Sequence, residues 1–188
     1  MNIVICQGIH ESQFTQEFIE GINTRLSDRY ARSWRDLLIF PAADATVLSG
    51  LHILQFLRDR LGNPASAAPL CLIAFSGGVV GAVQAAPMWQ LAGGTIAALI
   101  AIDGWGVPLI GNFPRHRLSH DFFTHWSSSL FDNNEHFYAN PAVDHLHLWR
   151  SPHTVTGCCV STANTQAIHL TSADFLIMLL ERYETIRD

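Results

Sequence analysis

Residues Pro69–Asp103 read PLCLIAFSGGVVGAVQAAPMWQLAGGTIAALIAID, and this stretch decides the fold of the chain. Two short apolar runs, Leu70–Phe75 and Thr95–Ile102, stand on either side of a longer run of small and aliphatic residues. Short apolar runs bounded by glycine turns are typical of buried parallel strands, and the middle segment is long enough for a crossover helix. The stretch therefore predicts a strand, a tight turn, a helix and a second strand.

The same stretch raises the alternative of a membrane span, because no charged side chain occurs between Arg60 and Asp103. A spanning helix needs about 20 consecutive apolar residues. Glycine pairs at 77–78 and 93–94, together with Pro87, divide the run into shorter pieces, and no arginine cluster flanks it. The sequence favours buried strands and predicts no membrane span.

Outside this stretch, the composition and the periodicity fit one α/β domain over residues 1–188. Hydrophobic residues make up 48% and charged residues 14% of the chain, which predicts a sizeable core rather than disorder. Further apolar runs at 2–6, 36–40 and 143–149 alternate with segments of helical periodicity. We predict a three-layer α/β sandwich with a mostly parallel sheet of about five to six strands.

Charge and cysteine content exclude several classes of protein. The net charge is −5, there is no lysine, and the arginines are scattered, so no basic patch for nucleic acid is expected. The absence of lysine also excludes P-loop and Schiff-base chemistry. Four cysteines lack the spacing of a zinc knuckle or a redox pair, and the first residues lack a basic, apolar leader. We expect a cytoplasmic protein.

The turn Ala74-Phe75-Ser76-Gly77-Gly78 has the small-x-Ser-x-small form of a nucleophile elbow. Such a turn strains the serine backbone and lifts its hydroxyl above the sheet, and small neighbours let the strand and the helix approach each other. On this motif, the chain resembles the α/β-hydrolase superfamily. The order of strands and helices agrees over most of the chain, although Ala74 stands where the family has its first glycine.

The resemblance implies that Ser76 is the nucleophile and that the backbone N–H of Gly77 is one oxyanion donor. The second donor is implied in the loop after the first strand, at Gly8 or Ile9. Asp103 follows the strand after the nucleophile, which is the family's less common position for the acid.

The base and the acid remain open at this stage. His153 follows an apparent strand, and His169 directly precedes the last helix, as the catalytic histidine of the family often does. The segment between the two histidines is too short for the helix that the family usually has before its catalytic histidine. We therefore favour His153. Asp144 is an alternative to Asp103 as the acid.

Residues 105–141 form a long excursion rich in aromatic residues and histidines, which favours a lid or a pocket wall. We expect its 113–138 part to line an apolar acyl pocket. The aromatic residues expected to wall this pocket are Phe122, Phe123, Trp126, Phe131 and Phe137.

Two further classes of site compete for the same residues. Several histidines with an aspartate could bind zinc, but no HExxH-type pattern supplies a base; the histidines and the aspartate are His116, His120, His125, Asp144, His145 and His147. The run Ser76–Gly81 is one glycine short of a dinucleotide fingerprint, with Asp103 about 20 residues further on. We therefore predict no metal and no cofactor.

The sequence predicts a serine hydrolase that acts on an ester or thioester through an acyl-enzyme at Ser76. His153 would act as the base that carries the proton, and Asp103 would orient the imidazole of His153. The expected partner is a small molecule with an apolar acyl part, and the oligomeric state stays open. The alternative is a non-catalytic binding protein of the same fold.

Overall fold

The computed structural model describes residues 1–26, 34, 36–41, 44–104, 106–128, 134–161 and 164–185, with backbone alone for 164–166 and 185. Phe131 of the predicted pocket wall and Trp105 at the start of the excursion lie outside these residues.

One sheet of eight strands runs through the described residues, in the order β2-β1-β3-β4-β5-β6-β7-β8. The first six strands pair in parallel, whereas β7 pairs antiparallel with both β6 and β8. The strands are β1 (Asn2–Cys6), β2 (Leu38–Phe40), β3 (Leu70–Phe75), β4 (Ile96–Ile102), β5 (Arg115–Ser119), β6 (His136–Ala139), β7 (Thr156–Ser161) and β8 (Asn164–Thr171).

Six α-helices lie in the described residues and pack on the two faces of the sheet. They are α1 (Ser12–Asn23), α2 (Gly50–Leu61), α3 (Gly77–Leu91), α4 (Phe122–Ser128), α5 (His145–Arg150) and α6 (Ser172–Thr185). None of these helices is both long enough and apolar enough to cross a membrane.

Alternation along the strands divides the core into two layers. In β1, Ile3 and Ile5 face one cluster, which holds α1, α5 and α6, while Val4 and Cys6 face the other, which holds α2 and α3. A strand buried on both sides must be apolar throughout, as β3 is, with all six residues buried. The predicted α/β class, with helices on both faces of a mostly parallel sheet, is confirmed.

The predicted number of strands was too low, for two reasons. First, β5 and β6 lie inside the 105–141 excursion, where polar residues such as Arg117 and His136 hid them although both side chains are buried. Second, β7 and β8 form an antiparallel hairpin, and β7 lies in a segment rich in Gly, Cys, Ser and Thr that does not resemble an apolar strand. The excursion therefore contributes two strands to the sheet.

The strand predicted at residues 143–149 was wrong, because residues 145–150 form helix α5. Leu148 and Trp149 are adjacent in sequence and both fully buried, whereas Leu146 is partly exposed. A half-buried strand would alternate instead. The edge of β6 is already paired with β7, so this segment covers the sheet as a helix.

Candidate active site

Ser76 stands between β3 and α3 in a strained backbone conformation, with φ 50° and ψ −122°. A non-glycine residue in such a region costs about 1–3 kcal/mol and persists only where the surroundings hold it. Here the N–H of Ser76 donates to the carbonyl of Ile102 at 2.9 Å, and the N–H of Val79 donates to the carbonyl of Ser76 at 3.1 Å. The serine is therefore held at the carboxyl end of β3.

Two glycines let the neighbouring chain segments approach this turn. A Cβ on Gly78 would lie 2.2 Å from the carbonyl oxygen of Cys6, and a Cβ on Gly8 would lie 3.1 Å from Cβ of Ser76. The loop that follows β1 is consequently packed directly beside Ser76. This close approach requires the small residues that the sequence shows at these positions.

Two backbone N–H groups at this edge are available for an external acceptor. Gly77 is the first residue of α3, where the N–H has no acceptor inside the helix. In the part of the chain that the structure describes, neither Gly77 nor Ile9 donates its N–H to a backbone carbonyl. The next residue, His10, does donate to the carbonyl of Gly8 at 3.1 Å.

Asp103 directly follows β4, in the left-handed region at φ 51°, and only 3% of its surface is exposed. Aspartate tolerates this conformation better than most residues. Its N–H donates to the carbonyl of Leu118, and its Oδ1 accepts the backbone N–H of His120 at 2.8 Å. The carboxylate is thus fixed between β4 and β5 at the same sheet edge as Ser76.

The side chain of His145 completes this arrangement. Its Nδ1 lies 2.8 Å from Oδ2 of Asp103, and its ring stacks on the ring of Phe75 with centroids 4.7 Å apart. Phe75 immediately precedes Ser76. Trp149, one turn further along α5, also stacks on Phe75 and on Phe18 of α1, so the helix that carries His145 is anchored in the core.

A second histidine, His10, also lies beside Phe75, and the sequence did not predict it as a site residue. Its ring centroid is 5.5 Å from that of Phe75. Burial lowers the pKa of His10 below its usual value, and the nearby His145 lowers it further. His10 is therefore best described as a neutral wall of the site.

The predicted bases lie elsewhere. His153 packs against α1, where a Cβ on Gly21 would be 2.7 Å from its Nδ1, and its carbonyl accepts from Arg25. His169 lies on β8, 3.8 Å from the sulfur of Cys158. Asp144, the alternative acid, occupies the exposed N-cap position of α5.

The structure therefore brings Ser76, Gly77, the loop with Ile9, and Asp103 to one edge of the sheet, as the sequence predicted. It brings His145 to Asp103 in place of His153. His145 was missed because β6, the strand that precedes it, was not predicted, and because the alternating HLHLW pattern favours a strand.

Exposed apolar side chains follow several strands at this edge. Ile9, after β1, is 64% exposed, and α4 and α5 add further side chains that face solvent, namely Phe122, Phe123, Trp126 and Leu146. Phe137, which was predicted to line the pocket, is fully buried in the core instead.

Comparisons with known proteins add a distant structural likeness. No family model matches the chain, and no curated protein matches it. Among solved structures, it is similar to a Trichoderma reesei cutinase in complex with a C11Y4 phosphonate inhibitor. That match has a TM-score of 0.44 and 14% sequence identity, and it covers 96% of this chain and 76% of the cutinase chain. The identity is too low for any residue role to be carried over from that protein.

Proposed function

We propose that this protein is a serine hydrolase of the α/β-hydrolase type, with Ser76 as the nucleophile, His145 as the base and Asp103 as its orienting acid. One observation carries the proposal. A strained serine at a strand-to-helix turn lies at the same sheet edge as a buried carboxylate that hydrogen-bonds a histidine. Strain of this kind is concentrated at functional sites, and a base oriented by a third group defines the triad arrangement.

The hydrogen bond to Asp103 decides which nitrogen of His145 can act as a base. A carboxylate only accepts hydrogen bonds, so the ring proton belongs on Nδ1. The lone pair is then on Nε2, which takes the proton of Ser76 as the serine oxygen attacks the substrate carbonyl. Asp103 also stabilises the imidazolium that forms, and His145 then returns the proton to the leaving group.

The tetrahedral intermediate places a negative charge on the former carbonyl oxygen. The N–H groups of Gly77 and Ile9 are the donors proposed for that charge. Removal of one such donor in related chemistry costs about 2.7–4 kcal/mol, so two backbone donors supply a substantial share of the rate enhancement. Gly77 also contributes the positive end of helix α3.

The exposed apolar side chains around the edge favour a substrate with an apolar acyl part. Phe122, Phe123 and Trp126 all lie on α4, which follows β5 and starts two residues after His120. An ester or thioester of an aliphatic acid would cover these side chains while its carbonyl reaches Ser76.

The test is covalent labelling by a fluorophosphonate, followed by intact mass measurement. The wild type should gain one adduct, Ser76→Ala none, and His145→Ala should react at least about 10³-fold more slowly because the base is lost. His153→Ala and His169→Ala are matched controls and should label at the rate of the wild type.

Two results would contradict this assignment. Labelling that disappears in His153→Ala but persists in His145→Ala would restore His153 as the base. A folded wild type that gains no adduct would indicate a non-catalytic binding protein.

A further inference from the structure

Three potential metal ligands converge beside Ser76. They are Oδ2 of Asp103 and the Nδ1 atoms of His120 and His145, and all three lie within 4.8 Å of one another. The two nitrogens are 2.9 and 2.8 Å from the carboxylate oxygen. Asp103 and His120 lie in the loops after β4 and β5, and His145 is the first residue of α5, which follows β6.

The ring of His120 gives a second, independent indication. Its Nδ1 is buried and has no hydrogen-bond partner among the described residues, although it is close to the Asp103 carboxylate. The other ring nitrogen, Nε2, lies 3.8 Å from Oδ2 of Asp121. A histidine that binds a metal usually donates its other ring N–H to a carboxylate, so Asp121 is placed to accept from Nε2 of His120 when Nδ1 binds a cation.

A cation would satisfy this arrangement. Zinc binds histidine nitrogen at about 2.0–2.1 Å and carboxylate oxygen at about 2.0–2.2 Å, so tetrahedral ligand atoms are about 3.3 Å apart. The Asp103 and histidine atoms need to separate by only about half an ångström to reach this spacing. Two imidazoles and one carboxylate suit zinc and its transition-metal neighbours rather than magnesium or calcium, and water would fill the fourth position.

We propose that Asp103, His120 and His145 bind a zinc ion that switches the hydrolase off. This regulatory role rests on the proposed function, whereas metal binding itself does not. Coordination through Nδ1 of His145 displaces the proton from that nitrogen. In the neutral ring the proton moves to Nε2, which can then no longer accept the proton of Ser76. No net proton is gained or lost, and the base is removed.

The binding arm uses titration of the metal-free full chain with Zn²⁺ and, separately, the visible absorption of bound Co²⁺. Wild type and Ser76→Ala should each bind one ion. His120→Ala should bind it far more weakly, by more than the roughly 10–100-fold that loss of an outer-shell partner costs. His169→Ala, which removes an exposed histidine elsewhere, should bind like the wild type.

The regulatory arm compares fluorophosphonate labelling with and without Zn²⁺, each variant against its own metal-free rate. Zinc should suppress labelling of the wild type and leave that of His120→Ala insensitive. Absence of stoichiometric binding would overturn the site, and binding that leaves wild-type labelling unaffected would overturn the switch. A wild type that never labels would contradict the proposed hydrolase, while the titration would still decide whether the metal site exists.

Discussion

Nδ1 of His145 lies 2.8 Å from Oδ2 of Asp103, although 42 residues separate the two in the chain. Asp103 follows β4 and His145 begins α5, and these elements meet because β4, β5 and β6 are neighbours in one parallel sheet. Parallel strands end at the same edge, where open α/β sheets bind their ligands.

Loss of the charge on Asp103 should lower activity without unfolding the protein. Asp103→Asn preserves the size of the side chain but no longer fixes the proton on Nδ1 of His145. We expect a drop of about 10³–10⁴-fold in kcat/KM for an ester substrate, by the tautomer argument. Asp144→Asn is the matched control, since this neighbouring carboxylate is exposed and should leave kcat/KM unchanged. Equal losses in the two variants would contradict the role of Asp103.

Two adjacent glycines should differ sharply in their tolerance of a methyl group. A Cβ on Gly78 would lie 2.2 Å from the backbone oxygen of Cys6, whereas a Cβ on Gly77 meets only side chains, at 3.3 Å or more. We expect Gly78→Ala to lower the free energy of unfolding by about 3 kcal/mol. Gly77→Ala should be neutral or gain up to about 1 kcal/mol of helix propensity. Urea unfolding of both variants measures the difference, and similar midpoints would refute it.

Trp149 should be one of the most costly positions to truncate. Its side chain is fully buried and stacks on Phe18 at 3.9 Å between ring centroids. Trp149→Ala should cost about 3–5 kcal/mol of unfolding free energy. Trp126→Ala serves as control, because this side chain is 54% exposed and its loss should change stability by no more than about 0.5 kcal/mol.

His125 should make the stability of the protein depend on pH. Burial lowers the pKa of His125 below its usual 6.5, and the nearby Arg117 lowers it further. Below that usual value His125 binds a proton in the unfolded chain but stays neutral in the folded one. The free energy of unfolding should therefore fall as the pH drops below about 6.5 and on through the folded pKa.

Thermal unfolding measured from about pH 7.5 to about pH 5 tests this expectation. The melting temperature of the wild type should fall more steeply over this range than that of His125→Gln, which cannot titrate. His52→Gln, an exposed histidine on α2, should follow the wild-type curve. Parallel curves for wild type and His125→Gln would show that His125 does not contribute.

The exposed aromatic residues of α4 should matter most for long acyl chains. Each buried methylene contributes about 0.8 kcal/mol of binding free energy, so the preference for longer esters should increase with the length of the acyl chain. We expect Phe123→Ser and Trp126→Ser to lose more kcat/KM on long-chain than on short-chain esters. Leu91→Ser is the control, because Leu91 is 89% exposed but lies at the far end of α3, away from Ser76. Equal losses on every chain length would argue against an acyl-binding role.

Local pattern was sufficient for the central unit. Its features depend on interactions between residues that are close in sequence, so they could be predicted without the structure. They are the apolar runs around 70–75 and 96–102, the small residues of α3 and the serine turn. Ser76 and Asp103 were located at the sheet edge for the same reason, since each directly follows a predicted strand.

The partner of Asp103 was beyond the sequence. The HLHLW run fits a strand as well as a helix, and the choice depends on whether the edge of β6 is free. In the structure β7 occupies that edge as part of an antiparallel hairpin, so the segment becomes α5 and directs His145, rather than His153, at Asp103. The sequence by itself determined the strand-turn-helix-strand unit and its serine, because those depend on local periodicity and on glycine. Only the tertiary structure decided which histidine hydrogen-bonds Asp103, because that depends on pairing between strands distant in the chain.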